Sequence, residues 1–208
     1  MRRAVFVLLA LVVTACNRQL YSAPAPVSAP APTAPSSRPR IEPLPPEAAA
    51  NFDVVSYIIG RSMLLPVAGA TVAQLHDTFD EGRDTERVHR ALDIMAPRGT
   101  PVLSTDAGRI LRVGSNPLGG NIIYASDPLG RVVYYYAHLD AYQPGLAQGA
   151  AVARGDTLGF VGTTGNAPRE APHLHFQVMR MPLDGKYWDG DPINPYPLFL
   201  LTHDPARP

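Results

Sequence analysis

One cysteine, one lysine and one tryptophan occur among the 208 residues, and formal net charge is zero. Each shortage excludes a class of protein. A lone cysteine, Cys16, can build neither a disulfide framework nor a cysteine-rich zinc site. Zero net charge leaves no basic surface to neutralise phosphates, so nucleic acid is not the expected partner. Lys186 is the only lysine, which leaves a lysine-tethered cofactor a single attachment point. The apolar run Ala4 to Val13 is shorter than the ~20 residues that span a bilayer. What is abundant is apolar residues, at 46%, enough for a real core outside any tail.

The first residues account for the cysteine. Arg2 and Arg3 precede the apolar run, and Val13-Thr14-Ala15-Cys16 reads as a small-residue cleavage site. The segment is therefore expected to be a secretion signal, residues 1–15. Val-Thr-Ala-Cys resembles the lipobox of bacterial lipoproteins. That resemblance implies diacylglycerol on the Cys16 thiol, cleavage before Cys16 and acylation of the new terminus. Several acyl chains anchor a protein stably where one holds it only marginally. Asn17, rather than Asp, follows the cysteine. This resembles lipoproteins released to the outer membrane, so an exported, lipid-anchored envelope protein facing the periplasm is expected.

Residues 16–50 form the expected lipidated linker, with 22–46 almost entirely Ala, Pro and Ser. Such a stretch cannot bury apolar surface, and its prolines favour extended chain. Residues 51–75 read as a helical lead-in, because Phe52, Val55, Ile58 and Ile59 have near-helical spacing. Pro66 and Gly69 are expected to end it, and Leu64 to Val67 to begin an extended segment. Residues 76–200 form the working domain and 201–208 a tail. Within the domain, short runs rich in Val, Ile, Tyr and Phe alternate with Gly, Pro and Asn. Strands are expected at 101–104, 108–113, 121–125, 132–139, 151–153, 157–161 and 173–179, giving a mainly β (α+β) fold on a small antiparallel sheet. Arg154-Gly155-Asp156 reads as a hairpin tip.

Three segments carry histidines with metal-binding character. His89-Arg90-Ala91-Leu92-Asp93 sets an imidazole and a carboxylate four apart. His173-Leu174-His175 opens a strand, so its two imidazoles share one face while Leu174 and Phe176 point to the core. His138 ends the alternating run Val132, Tyr134, Tyr136 and is expected on their face. Catalytic zinc takes three protein ligands from imidazole and carboxylate, with a fourth position open. Two of the three segments can supply them, leaving other histidines to handle protons.

The motifs then align with a family. His89-Arg90-Ala91-Leu92-Asp93 is followed by Tyr136-Ala137-His138-Leu139. Next come Gly155-Asp156-Thr157-Leu158-Gly159, Gly162-Thr163-Thr164-Gly165 and Pro172-His173-Leu174-His175-Phe176. In this order they resemble the lysostaphin-type (LytM-domain) zinc endopeptidases over roughly residues 64–198. The resemblance implies that His89, Asp93 and His175 bind Zn2+ and that His138 and His173 are the catalytic pair. It implies a LytM-like, duplicated-hybrid β core with an open groove, and peptidoglycan peptides as substrate. Ala91 stands where the family often has Gly, and Gln177 where it often has Glu. The loop Asn166 to Ala171 lacks the usual small residues and carries Arg169 and Glu170. These departures bear on substrate preference rather than on ligands.

Either histidine of the pair suits either proton role, since the reference imidazole pKa is ~6.5. The working assignment makes His173 the base and His138 the stabiliser of the transition state. A rival reading is a non-enzymatic activator of cell-wall amidases that uses the groove for binding. Retention of all five residues, His89, Asp93, His138, His173 and His175, speaks for the enzyme. A biotinyl or lipoyl carrier needs a lysine at its hairpin tip, where this chain has Arg154 and Gly155. Elsewhere His76 is expected to be solvated and His203 exposed in the tail. Tyr134, Tyr135 and Tyr136 are expected as half-buried strand residues, and Asn121 as a turn cap. Asp106 and Asp156 are expected in turns, bonded locally, and Asp191 to Pro195 as a closing turn. Arg83, Arg87 and Arg90 crowd the first ligand on a solvated surface.

Overall fold

The chain's computed structural model describes residues 52–83 and 87–203. The expected signal peptide, Cys16, the linker and the last residues of the tail lie outside the described residues. Asp53 starts the first helix, α1 (Val54–Arg61): its carboxylate accepts from the backbone N–H groups of Val55 and Ser56, both at 3.1 Å. The helix ends at Ser62, in left-handed conformation (φ 52°), four residues before Pro66. The expected stop at Pro66 and Gly69 is thus corrected. Met63 and Leu65 are buried in the core, and leaving the helix early turns both inward; burial outweighs the local breaker.

Nine antiparallel strands follow: β1 (Leu92–Met95), β2 (Pro101–Leu103), β3 (Gly108–Asn116), β4 (Gly120–Ser126), β5 (Val132–Tyr142), β6 (Ala151–Val152), β7 (Thr157–Val161), β8 (His173–Arg180) and β9 (Asp191–Ile193). A second helix, α2 (Pro195–Thr202), ends the described chain. The sheet runs β1-β8-β5-β4-β3-β6, with β7 joining β5 to β2 and β9 on β8. The expected antiparallel β architecture is present. Two strands were not foreseen. β1 is four residues long, too short for alternation to stand out, although Leu92 and Ile94 are buried between Asp93 and Met95. The expected closing turn at 191–195 is instead β9, paired with β8, followed by an Asn194 cap that accepts from the Tyr196 N–H at 2.9 Å. Arg154 to Asp156 do not tip a hairpin either, because β6 pairs with β3 whereas β7 pairs with β2 and β5.

Strand alternation divides the sheet into two faces. One packs Tyr134, Tyr136, Leu174 and Phe176 against α1 and α2 in the main core. The other carries Ile122, Val133, Tyr135, Ala137 and Met179 under the groove. All three consecutive tyrosines are buried rather than half-buried, Tyr134 and Tyr136 fully and Tyr135 beneath the groove.

The expectation that His138 shares a face with Tyr134 and Tyr136 does not hold. Tyr136 lies opposite Ile123 and Leu139 opposite Asn121, so three steps along β5 match two along β4. This bulge, with His138 at φ 61°, reverses side-chain parity. It sends the imidazole to the groove while Tyr136 stays in the core. Before the bulge β5 pairs with β8, and after it with β7.

Asp106 was expected to bond locally in a turn, and it does more. It is buried, accepts from the Tyr134 hydroxyl at 3.1 Å and takes a two-point contact from Arg61, with Nη2 at 2.7 Å and Nε also in contact. Tyr57 donates to Asp127 at 2.6 Å, so α1 is clipped to the sheet at two places. Removing one partner of such a pair strands a buried charge. Arg61→Ala is expected to lower unfolding free energy by about 2–3 kcal/mol, at or below the ~3–5 kcal/mol of a fully buried pair because Arg61 is partly exposed. Urea denaturation checks this.

Candidate metal centre and groove

Two pieces of backbone bring the first three side chains together. Asp93 on β1 lies directly across from His175 on β8, so antiparallel register alone makes them neighbours. His89 is folded back toward Asp93 by Arg90, which adopts left-handed conformation (φ 55°). Thr78 holds this turn from outside. Its carbonyl faces His89 Nδ1 at 2.8 Å, and its hydroxyl accepts from the Asp93 N–H at 3.0 Å and donates to the Ala91 carbonyl at 3.2 Å.

The resulting donor atoms form a compact triangle. His89 Nε2 lies 2.9 Å from His175 Nδ1 and 3.0 Å from Asp93 Oδ1, and the last two are 3.2 Å apart. Bonds of ~2.0–2.1 Å at tetrahedral angles would separate such donors by roughly 3.3 Å, so the triangle has the size of one face of a zinc tetrahedron. The donor chemistry agrees: two imidazole nitrogens and one carboxylate oxygen point at one space, and the Thr78 carbonyl fixes the His89 proton on the opposite nitrogen. Arg83 contacts the other carboxylate oxygen, Asp93 Oδ2, leaving Oδ1 turned to the histidines.

His138 and His173 complete the constellation. Their ring centroids are 4.9 Å apart, and His138 is 5.5 Å from His175. His138 Nδ1 faces the Thr164 carbonyl and His173 Nδ1 the Ala171 carbonyl, each at 2.8 Å. Both protons are thereby drawn to Nδ1, leaving both Nε2 atoms as acceptors. His173 Nε2 is 3.8 Å from Asp93 Oδ2. The bulge at His138 is held by its N–H to the Gly119 carbonyl at 2.7 Å, and by Thr164, whose hydroxyl accepts from the Asn121 N–H at 2.9 Å and donates to the Leu139 carbonyl at 2.8 Å. Asn121, expected to cap a turn, bridges the Leu139 and Asp140 carbonyls behind the site. Gly120 makes this approach possible: it has φ 64°, and a Cβ there would stand 2.2 Å from Thr164 Oγ1. The groove over these residues encloses about 750 Å³ and is bordered by Arg83 and Arg87 on one side and Leu118, Asn166 and Pro168 on the other.

Residues 87–195 match the family model described as Peptidase family M23. The chain belongs to peptidase family M23. The match starts just before His89 and contains His89, Asp93, His138, His173 and His175. Over 118 residues the chain is 36% identical to the DD-carboxypeptidase/endopeptidase Mpg of Neisseria meningitidis, covering 57% of this chain and 24% of that one. Over 93 residues it is 34% identical to the peptidoglycan DD-endopeptidase ShyB of Vibrio cholerae, covering 44% and 20%. The matched part thus spans about a quarter or less of these M23 relatives. Among solved structures, LytU shares 29% identity at a TM-score of 0.50, covering 60% of this chain and 82% of that one. The LytM/lysostaphin-type resemblance and fold expected from the motifs are therefore shown.

Of the five expected residues, all converge at the groove. His76 is exposed, and so is His203. Arg90 pairs with Asp80 at the surface, whereas Arg83 reaches the ligand carboxylate. Thr78, Thr164 and Ala171 were missed, since all three hold a histidine through a backbone carbonyl that any residue type carries.

Burial pulls the His138 imidazole down to about 4, with the two neighbouring histidines adding to the effect. Burial also lowers His175. At Asp93 burial by itself acts upward, but hydrogen bonds from His175 and His89 outweigh it and hold the carboxyl well below the usual range. Because folded His138 binds its proton more weakly than unfolded His138, the unfolded chain protonates first on acidification. Its contribution to stability is complete above about pH 6.5 and is lost as pH falls toward about 4. In chelator, the stability gap between wild type and His138→Asn should therefore shift in favour of the variant across that window, as read by denaturant melts at stepped pH.

Proposed function

We propose that this chain is a zinc-dependent endopeptidase that hydrolyses stem or cross-link peptides of peptidoglycan, anchored to the envelope through lipid on Cys16. The observation that carries the reading is the 2.9–3.2 Å donor triangle with two further imidazoles on its open side. Family membership and the printed activities of Mpg and ShyB support it. The lipid anchor rests on the lipobox-like segment at Cys16; among the described residues no helix is long and apolar enough to cross a membrane. An outer-membrane position facing the periplasm belongs to the same proposal.

A zinc ion held by His89, Asp93 and His175 would supply a Lewis acid and lower the pKa of a coordinated water toward ~7. The chain's own residues do the rest. Burial keeps His138 neutral at physiological pH, and the Thr164 carbonyl aims its unprotonated Nε2 at the groove. That disfavours the cationic, stabilising part assigned to His138 from sequence. We therefore give His138 the acceptor's part; His173, also an acceptor at Nε2 as placed, would donate to the leaving amine or developing oxyanion once it has gained a proton there. Arg83 fixes the Asp93 carboxylate by its second oxygen. The groove is open along the sheet face, so a chain can enter and leave past the centre, as an endopeptidase requires.

His175→Ala and Asp93→Ala should lose both zinc and activity. His138→Ala and His173→Ala should keep zinc and lose activity by about 10²–10⁴-fold, the usual worth of a positioned acid or base. Metal analysis of the purified variants beside chromatography of released muropeptides, with and without chelator, checks this. Full zinc content with full activity in His175→Ala would end the assignment.

A further inference from the structure

The groove face continues past the metal centre as a row of aromatic rings. Tyr135 stands edge-on to His175 with centroids 6.0 Å apart. Tyr124, its cross-strand partner on β4, follows at 4.6 Å, Tyr187 at 5.2 Å and Trp188 at 5.0 Å. Tyr187 is half-buried, while Trp188 is 57% exposed. The row is built rather than incidental. A Cβ on Gly190 would lie 2.7 Å from the Arg180 carbonyl oxygen and 2.9 Å from Met179 Cβ. Bare glycine therefore lets the 181–190 segment lie close on β8 and press Tyr187 against Tyr124. Asp184 and Lys186, an exposed ion pair at 2.8 Å, and the exposed Asp189 lie within four residues of Trp188 along the chain. Exposed apolar surface rimmed by polar groups marks an interaction site, and Tyr and Trp offer large, rigid contact area with a polar edge.

We propose that Tyr124, Tyr187 and Trp188 form a subsite for N-acetylhexosamine rings of the glycan strand that bears the substrate peptides, an inference that rests on the peptidoglycan reading above. A pyranose ring has one apolar C–H face and a rim of hydroxyls, which match the indole and phenol faces and the charged groups near them in the chain. An extended peptide would need a free strand edge or side-chain pockets. Tyr124 and Tyr135 line the peptide groove, but beyond them Tyr187 and Trp188 lie outside its lining, and β4, β5 and β8 are each paired on both sides and offer no free strand edge. The steps between rings place Trp188 within about 21 Å of His175. That is the reach of about six extended residues, so a sugar on the row and a bond of its attached peptide at the metal centre can be held together.

Trp188 is the only tryptophan in the chain, so its fluorescence reports on the subsite itself. Titration of the purified full-length, zinc-loaded chain with a peptide-free oligosaccharide of N-acetylglucosamine and N-acetylmuramic acid should change its emission saturably. A sugar-free stem peptide should not. Trp188→Ala and, separately, Tyr187→Ala should abolish oligosaccharide binding by calorimetry and raise KM for glycan-linked peptide about tenfold more than for sugar-free peptide, a ratio equivalent to ~1.4 kcal/mol. Absence of a saturable emission change, the same change with peptide alone, or equal effects on both substrates would overturn the subsite. Failure to cut any wall peptide would remove the peptidase reading instead, and saturable oligosaccharide titration in that same sample would still support the subsite.

Discussion

A left-handed backbone at one histidine joins the two halves of this sheet. His138 has φ 61°, a conformation that costs a non-glycine residue on the order of 1 kcal/mol or more. Hydrogen bonds around it oppose that cost: the His138 N–H to Gly119, its ring to Thr164, and Thr164 in turn to Asn121 and Leu139. The strain has a consequence at both ends of β5. Ahead of it the strand pairs with β8, which carries His173 and His175; beyond it the strand pairs with β7. A regular strand would have buried the His138 imidazole beside Tyr136, and the groove would have lost one of its two free acceptors.

Much of this was legible in the sequence, for definite reasons. The two-residue spacing of His173 and His175, with Leu174 and Phe176 between and after, needs only the period of a strand to be read correctly. Motif order then sufficed to group these residues with His89, Asp93 and His138. The failures share a different cause. The face of His138 was misjudged because a bulge is set by the register of β4, not by β5's own pattern. Thr78 and Thr164 were invisible because they orient His89 and His138 through main-chain oxygens. Asp106 was read as a local turn residue because nothing nearby in sequence announces Arg61, forty-five positions earlier. Period and composition are local, whereas the supports of this site are not.

Asp93 shows how charge is apportioned. Its Oδ1 completes the donor triangle while Oδ2 contacts Arg83. A carboxylate so placed stays ionised despite burial, since the hydrogen bonds from His175 and His89 outweigh desolvation. At the neighbouring His138 the Thr164 carbonyl and the Asp93 charge favour the cation but do not outweigh burial, so the ring is held neutral. Two titratable groups within one groove are thus settled differently under the same enclosure: partners outweigh burial at Asp93, and burial outweighs partners at His138. An anion to hold a cation and a neutral nitrogen to accept a proton are what hydrolysis at a metal centre requires of its surroundings.

The division of labour between sheet faces explains why such a site can stay open. Tyr134, Tyr136, Leu174 and Phe176 alternate with Tyr135, Ala137, His173 and His175 along the same two strands. One set buries against α1 and α2, where apolar area at ~25 cal/mol per Å² stabilises the domain. Stability is therefore drawn from the face that never meets substrate, and α1, clipped by Arg61 to Asp106 and Tyr57 to Asp127, covers that face. The opposite face can then carry histidines, a left-handed residue and exposed aromatic rings without having to close over them. Tyr135 lies between the histidines and the aromatic rings: it is buried on the groove side, stands edge-on to His175 and packs at a tilt against Tyr124. A change in its packing would be felt at the metal centre and along the aromatic row together, while the core behind the sheet would be left as it is.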